Sequence, residues 1–145
     1  MARYVAVVGP GEATAEQIEH AEAVGGGLAA AGAVLVCGGL GGIMEAACRG
    51  AAEQGGATVG LLPGSDRSAA NEWVSIAIPT GLGELRNGLI VRTADVVIAV
   101  GGGHGTLSEV ALALKTRVPV VGLGTWEIDG VLRVGSPEEA VERAT

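Results

Sequence analysis

The amino-acid sequence contains the same glycine-acid pattern twice, each time directly after a short apolar run. Residues 38–45 and residues 102–109 both read G-G-x-G-x-x-x-E, and the runs before them cover 34–37 and 96–100. A segment with helix-forming residues follows each pattern. An apolar run, a glycine turn and a helix in this order are typical of strand-to-helix connections in a parallel sheet. The repeat therefore predicts two such connections with the same local design.

Strand and helix signals alternate along the rest of the chain. Predicted strands cover 4–8, 34–37, 58–62, 74–78, 95–100 and 118–123, and predicted helices cover 15–31, 43–54, 84–93, 106–115 and a segment that begins after Ser136. Thr14 with Gln17, and Ser136 with Glu139, have the spacing of helix-capping pairs. Apolar strands between helices indicate one α/β domain over residues 1–145. Its doubly wound, mainly parallel, Rossmann-like sheet would carry helices on both faces.

Composition and charge narrow the class of partner. No apolar run approaches the ~20 residues that span a bilayer, so we expect a cytoplasmic protein with no membrane partner. The net charge is −7 and the nine Lys and Arg residues are scattered, which argues against nucleic acid as a partner. Cys37 and Cys48 stand in apolar surroundings and are expected to be buried free thiols.

The two glycine turns are candidate phosphate sites. Glycine lets the backbone approach a phosphate closely, and the first turn of a helix presents unpaired N–H groups at the positive end of its dipole. The carboxyl ends of parallel strands share one edge, so both turns are expected to meet there. The alternative is that the glycines only permit tight turns and close packing. The predicted phosphate-binding residues are Gly9, Gly38, Gly39, Gly41, Gly42, Gly101, Gly102, Gly103, His104, Gly105 and Thr106.

Neither turn has the pattern of an NAD site or of a Walker A loop. After Gly9 and Gly11 the third glycine of the dinucleotide pattern is replaced by Thr14, and the strand 34–37 ends without an acidic residue. No Gly-Lys pair occurs in the chain. We therefore expect a small phosphorylated ligand, with no metal site and no required cofactor.

Glu109 and Arg86 are the charged residues that need the most explanation. Thr106 and Glu109 have capping-box spacing, so Glu109 either caps its helix or stands beside the sugar of a bound nucleotide. In the second case it could stabilise positive charge or activate water during N-glycosidic cleavage. Arg86 falls in the first turn of a predicted helix, off a core face formed by Leu85 and Leu89. A cation there is unfavourable against the helix dipole unless solvent, an acid or a bound anion compensates it.

Four further residues are predicted ligand contacts, and each has a structural alternative. Glu45 occupies the place of Glu109 in the first pattern, with Gly42 as the expected helix cap. The other three precede or begin the helix that carries Arg86. The four residues are Glu45, Thr80, Gly81 and Asn87.

These motifs resemble those of the LOG/SLOG superfamily, which includes cytokinin riboside monophosphate phosphoribohydrolases. Residues 102–109 match the family signature G-G-x-G-T-x-x-E, and Arg86 matches the catalytic arginine of the family. A closer resemblance, T-G-x-x-x-x-R-N at 80–87 followed by G-G-G-x-G-T-L-S-E at 101–109, is to a short branch. That branch is similar to molybdenum cofactor carrier proteins.

The resemblance implies two functions. In the first, Arg86 and Glu109 form the catalytic pair of a hydrolase that cleaves a nucleoside 5′-monophosphate into base and ribose 5-phosphate. In the second, the chain binds a nucleotide derivative or a molybdopterin-type cofactor without cleaving it. Asn87 stands where the family has Lys, and Gly101 where it has Pro, and both departures favour the second function. The resemblance leaves open whether the protein is an enzyme.

The resemblance also implies a homodimer or homotetramer. Members of the superfamily associate through helices that flank the sheet. The helix after the second turn offers Val110, Ala111 and Leu114 as candidate interface residues.

Overall fold

A parallel sheet of seven strands organises the protein, and the computed structural model describes all of residues 1–145. The strands are β1 (Tyr4–Val8), β2 (Val34–Cys37), β3 (Thr58–Leu62), β4 (Ile76–Pro79), β5 (Val96–Val100), β6 (Val120–Leu123) and β7 (Leu132–Arg133). The helices are α1 (Ala15–Ala30), α2 (Ile43–Glu53), α3 (Arg86–Thr93), α4 (His104–Lys115) and α5 (Pro137–Ala144). The strand order is β4-β3-β2-β1-β5-β6-β7, and every neighbouring pair is parallel. This confirms the predicted α/β, Rossmann-like fold.

The predicted elements differ from the observed ones mainly at their ends. β4 begins at Ile76 because a turn closed by the Val74 N–H and the Asn71 carbonyl precedes it. β6 begins after Pro119, which has no N–H to donate to a neighbouring strand. α4 begins at His104, two residues earlier than predicted. β7 has only two residues and was not predicted, since so short a strand carries no periodic signal.

Helices cover both faces of the sheet. Helices α1, α2 and α5 pack on one face, where Val7, Leu35 and Ile98 are fully buried or nearly so. Helices α3 and α4 pack on the other face, where Val36 and Val97 are fully buried. No helix has the length and apolar character needed to cross a bilayer.

Helices α1 and α2 cross at two glycines. A Cβ at Gly25 would overlap the carbonyl oxygen of Ala47, and a Cβ at Gly50 would overlap that of Glu22. Because these obstacles are backbone atoms, only glycine permits this separation of the two helices.

The strand order places a crevice beside β1. The chain runs from β1 through α1 to β2 on one side, and it later returns to β5 on the other side of β1. The connections after β1 and β5 therefore leave the sheet in opposite directions. In open α/β sheets, ligands bind at this switch point, outside the carboxyl ends of the strands.

The segment before α3 corrects one prediction. Residues 83–85 form a separate 3₁₀ turn, so Leu85 does not belong to the first turn of a longer helix. Leu85 is 79% exposed and Leu89 is 39% exposed, and the predicted core face through them is wrong. Arg86 is instead the buried residue of this segment, at 8% exposure. Val110 is also fully buried within the fold, so it cannot belong to an intersubunit surface as expected.

Candidate functional site

A cavity of about 440 Å³ lies at the carboxyl edge of the sheet, where the switch point predicts a ligand site. This volume is within the usual range for small-molecule sites. Its walls come from the connections after β1, β2, β3 and β5 and from the segment that enters α3. The lining residues are Val7, Val8, Gly9, Pro10, Gly11, Gly38, Leu40, Met44, Pro63, Glu84, Arg86, Asn87, Gly103, His104, Gly105, Thr106 and Glu109.

The N-terminus of α4 faces this cavity with free backbone donors. Gly103 is the N-cap and provides no side-chain cap. The N–H groups of His104, Gly105 and Thr106 donate no hydrogen bond within the protein, and the first helical bond runs from the Leu107 N–H to the Gly103 carbonyl at 2.8 Å. Three free donors at the positive end of a helix dipole form a site suited to an anion.

The first glycine turn contributes a wall of the cavity but is less open. The Ile43 N–H, at the start of α2, donates to the Pro10 carbonyl at 3.1 Å. Gly42 has a φ of 67° and packs so closely on the backbone of residues 10–11 that a Cβ would overlap it. The turn is thus joined to the loop after β1. The two identical sequence patterns therefore form different local structures.

The structure brings nine of the predicted site residues together around the cavity and places eight outside it. The nine lining residues are Gly9, Gly38, Arg86, Asn87, Gly103, His104, Gly105, Thr106 and Glu109. The eight that do not line it are Gly39, Gly41, Gly42, Glu45, Thr80, Gly81, Gly101 and Gly102.

Several of the eight have structural contacts. The Gly39 N–H donates to the Cys37 sulfur at 3.3 Å, and the Thr80 hydroxyl donates to the Leu62 carbonyl at 2.7 Å. Gly102 lies against the indole of Trp126. These residues support the loops that line the cavity.

Arg86 is a buried cation with incomplete hydrogen bonding. Its Nη1 donates to Asn87 Oδ1 at 2.8 Å, but its buried Nε has no partner. Its guanidinium passes so close to Gly38 that a Cβ there would lie 2.5 Å from Nη1. Burial lowers the pKa of Arg86, while the nearby charges of Glu109 and Cys37 oppose this shift. A buried N–H of a cation is usually paired, so this one is available to a ligand.

Glu109 is a buried carboxyl group on the same cavity, at 7% exposure. Because α4 begins at His104, Thr106 is inside the helix, and the capping-box interpretation of Glu109 is wrong. Burial raises the pKa of Glu109 to about 7, against an opposing attraction by Arg86. No hydrogen bond and no ion pair within 4.0 Å joins its carboxylate to Arg86 or to another side chain.

Cys37 and Cys48 lie behind the first turn and are buried free thiols, as the sequence predicts. Their sulfur atoms are 3.4 Å apart. The hydrogen bond from Cys48 is the largest cause of a lowered pKa at Cys37, and the same bond raises the pKa of Cys48.

Sequence reasoning missed eight of the 17 lining residues, and three of these lie within or next to a predicted motif. Leu40 and Met44 occupy variable positions of the first glycine pattern, and Glu84 precedes Arg86. Leu40 and Met44 could have been predicted as lining residues from their positions within the first glycine pattern. No group of three His, Cys, Asp or Glu side chains is close enough to hold a metal ion.

The sheet order places the chain among Rossmann-like proteins, and the cavity lies at the switch point, where such folds bind ligands. The chain belongs to the SLOG cluster4 family, whose family model matches residues 2–144. This confirms the resemblance to the SLOG superfamily that the glycine motifs indicate.

Similar proteins include two with solved structures. The molybdenum cofactor binding protein of Rippkaea orientalis is 40% identical with a TM-score of 0.94, and the match covers 99% of this chain and 95% of that one. The molybdenum cofactor carrier protein of Chlamydomonas reinhardtii is 35% identical with a TM-score of 0.89, covering 99% and 96%. An uncharacterized protein of Archaeoglobus fulgidus is 43% identical over 138 residues, which are 94% of this chain and 91% of that one.

Proposed function

We propose that this protein binds a molybdopterin-type cofactor, a phosphorylated pterin, and carries it without cleaving it. Similarity to two molybdenum cofactor binding proteins over nearly the whole length supports this function. The observation that carries the proposal is the open N-terminus of α4, with three free N–H groups in the same cavity as the unpaired Nε of Arg86. This arrangement suits an anionic ligand that remains bound.

The cavity offers separate groups for the phosphate and for the ring system of such a ligand. The N–H groups of His104, Gly105 and Thr106 would hold the phosphate, since helix N-termini stabilise anions through both hydrogen bonds and the dipole. Arg86 and Glu109 are buried residues that line the same cavity, and they would contact the ring system. The molybdenum would be cargo, and no resident metal site is needed for this function.

A second candidate function is phosphoribohydrolase activity, and Glu109 favours it. A carboxyl group whose pKa is about 7 can accept and release a proton near neutral pH, as acid-base catalysis requires. In that reaction, water would add to C1′ of the sugar as the bond to the base breaks, and the base would leave with a proton. Asn87 weighs against it, because it is the Arg86 partner where the family has Lys.

One experiment separates the two functions. The protein is mixed with molybdenum cofactor released from a molybdoenzyme, and retained cofactor is measured after gel filtration. The same preparation is incubated with the common nucleoside 5′-monophosphates, and free base is measured by chromatography. We expect retained cofactor that decays more slowly than free cofactor, and no released base.

Two results would change this conclusion. Release of base from any nucleotide by the wild type, and its loss in Glu109→Gln, would establish the hydrolase. Failure to retain cofactor would remove the carrier function. Glu45→Gln is the matched control, because Glu45 has the same motif position but lies outside the cavity.

A further inference from the structure

Glu109 and Arg86 are opposite charges in one cavity that do not satisfy each other. Each is more than nine-tenths buried, yet no ion pair joins them within 4.0 Å. The buried Nε of Arg86 has no acceptor. The carboxylate of Glu109, which lines the open cavity, accepts no side-chain hydrogen bond from the protein. Buried polar groups of this kind are rarely left unpaired unless a ligand completes them.

The two unpaired groups determine which hydrogen-bond donors and acceptors a ligand must present. An ionised carboxylate only accepts hydrogen bonds, so Glu109 needs N–H or O–H donors from the ligand. A guanidinium only donates, so Arg86 needs an acceptor. Both groups line the same cavity, and the phosphate has its own donors at the N-terminus of α4. A ligand whose phosphate occupies the donors of α4 therefore leaves Glu109 and Arg86 to be satisfied by donors and an acceptor elsewhere on the ligand.

We propose that Glu109 and Arg86 together bind the 2-amino-4-oxo-pyrimidine edge of a phosphorylated ligand, which makes Glu109 a specificity residue. This edge presents an amino group, a ring N–H and a carbonyl oxygen in a row. The two oxygens of Glu109 accept from the two adjacent N–H groups, and Arg86 donates to the carbonyl. The inference rests on the proposed binding function, because it specifies the ring that enters the cavity.

Other ligand groups satisfy this pair less well. Adenine places a ring acceptor beside its amino group, and that nitrogen would face an acceptor oxygen of Glu109. Sugar hydroxyls can rotate to donate or accept, so they would bind equally well to an amide in place of the carboxylate. Adjacent donors next to an acceptor satisfy both charged groups and also require the carboxylate, which hydroxyl groups do not.

The test uses two fluorescent ligands that differ in one group. The monophosphate of 6-hydroxymethylpterin has the 2-amino group, and the monophosphate of 6-hydroxymethyllumazine has a carbonyl there. We expect wild-type protein to bind the pterin about 10- to 100-fold more tightly, the usual discrimination for a bidentate pair. In Glu109→Gln the amide can accept from the ring N–H and donate to the lumazine carbonyl, so the preference should reverse.

The variants distinguish this inference from the proposed function. Glu45→Gln should keep the preference of the wild type. If both pteridine phosphates bind wild type equally and Glu109→Gln alters neither, the role of Glu109 is overturned while the binding function stands. If neither pteridine phosphate binds to folded wild-type protein, the proposed function fails, and the inference fails with it.

Guanine carries the same edge as a pterin, so a separate comparison must distinguish a pterin ligand from a guanine nucleotide. Guanosine 5′-monophosphate and inosine 5′-monophosphate differ only in the 2-amino group. Tighter binding of the pterin phosphate than of the guanine nucleotide assigns the cavity to pterins. The reverse order, with guanine preferred over hypoxanthine, supports recognition of the edge but overturns the assignment to a pterin.

Discussion

The carboxyl group of Glu109 destabilises the ligand-free protein, because folding removes it from water without giving it a hydrogen-bond partner. Its pKa rises from 4.5 to about 7, so the folded state holds the proton more tightly than the unfolded chain. Stability therefore falls as pH rises from about 4.5 to about 7, and the cost is fully present above that range. Unpaired charges of this kind are typical of binding sites, where stability is given up for function.

Glu109→Gln is expected to stabilise the ligand-free protein at pH 8. The pKa shift, which already includes the attraction to Arg86, corresponds to about 3 kcal/mol at about 1.4 kcal/mol per unit. At pH 4.5 the difference between the two proteins should nearly vanish. Urea unfolding at both pH values measures it. A variant that is less stable than wild type at pH 8 would show that the carboxylate has a structural partner.

The sequence predicted Arg86 and Glu109 as the catalytic pair, and both are buried beside one cavity, but the sequence did not predict what each contacts. A capping box and a ligand-facing acid have the same spacing, and only the start of α4 at His104 separates them. The burial of Arg86 could not be predicted either, since it depends on the 3₁₀ turn at 83–85. Both differences depend on where a helix begins to within one or two residues, and tertiary contacts determine that boundary.

At the scale of elements, the crossing of α1 and α2 fixes where the first glycine turn lies. The glycines in α1 were not assigned a role from the sequence, because the partner helix is not visible in a local pattern.

The two glycine turns also differ for a tertiary reason. The Pro10 carbonyl takes a donor at the start of α2, while nothing in the chain does so at α4. The sequence predicted both connections correctly. It could not predict that the first N–H group of α2 is hydrogen-bonded while the first three of α4 are free.

Gly50→Ala is expected to destabilise the protein by about 1–3 kcal/mol, the usual cost of overpacking against atoms that cannot move aside. The added methyl group would overlap the Glu22 carbonyl and push α1 away. Gly26→Ala is the matched control, because its Cβ would lie 3.5 Å from the Gly50 carbonyl oxygen, an ordinary contact. It should be neutral or stabilising by up to about 1 kcal/mol through helix propensity.

Urea midpoints of the two glycine variants compare them directly. Equal midpoints for Gly50→Ala and wild type would mean that the helices are not held at this separation.

For the whole molecule, one face of the sheet is left partly uncovered. Ile76 and Ile78 of β4 are in register with Val59 and Leu61, on the side of α3 and α4. Helix α3 packs over β1, β2 and β3, and Ile76 and Ile78 are 50% and 43% exposed. Exposed apolar groups of this kind are typical of protein interfaces, so we expect a second copy to cover them.

Sedimentation equilibrium should therefore give a dimer or tetramer of the 14.2 kDa chain. Leu85→Glu should weaken the assembly, because Leu85 is the most exposed leucine of the chain and follows β4 by six residues. Leu132→Glu, at the opposite edge of the sheet, is the control and should leave the mass unchanged. A monomeric wild type, or dissociation by Leu132→Glu alone, would contradict this interface.

The most direct measurement is the affinity for a phosphate ester at the N-terminus of α4. A Cβ at Gly105 meets no atom within 4 Å, so Gly105→Asp and Gly105→Asn should both fold, and Asp in a first helical turn is favourable. The two variants and the wild type are titrated with 6-hydroxymethylpterin and with its monophosphate, and ligand fluorescence is measured.

We predict that wild type binds the monophosphate at least about 10-fold more tightly than the free alcohol, as charge-assisted hydrogen bonds would give. Gly105→Asp should lose this advantage through charge repulsion, and Gly105→Asn should retain most of it. Equal affinity of wild type for the two ligands, or equal behaviour of the Asp and Asn variants, would contradict a phosphate site at this helix.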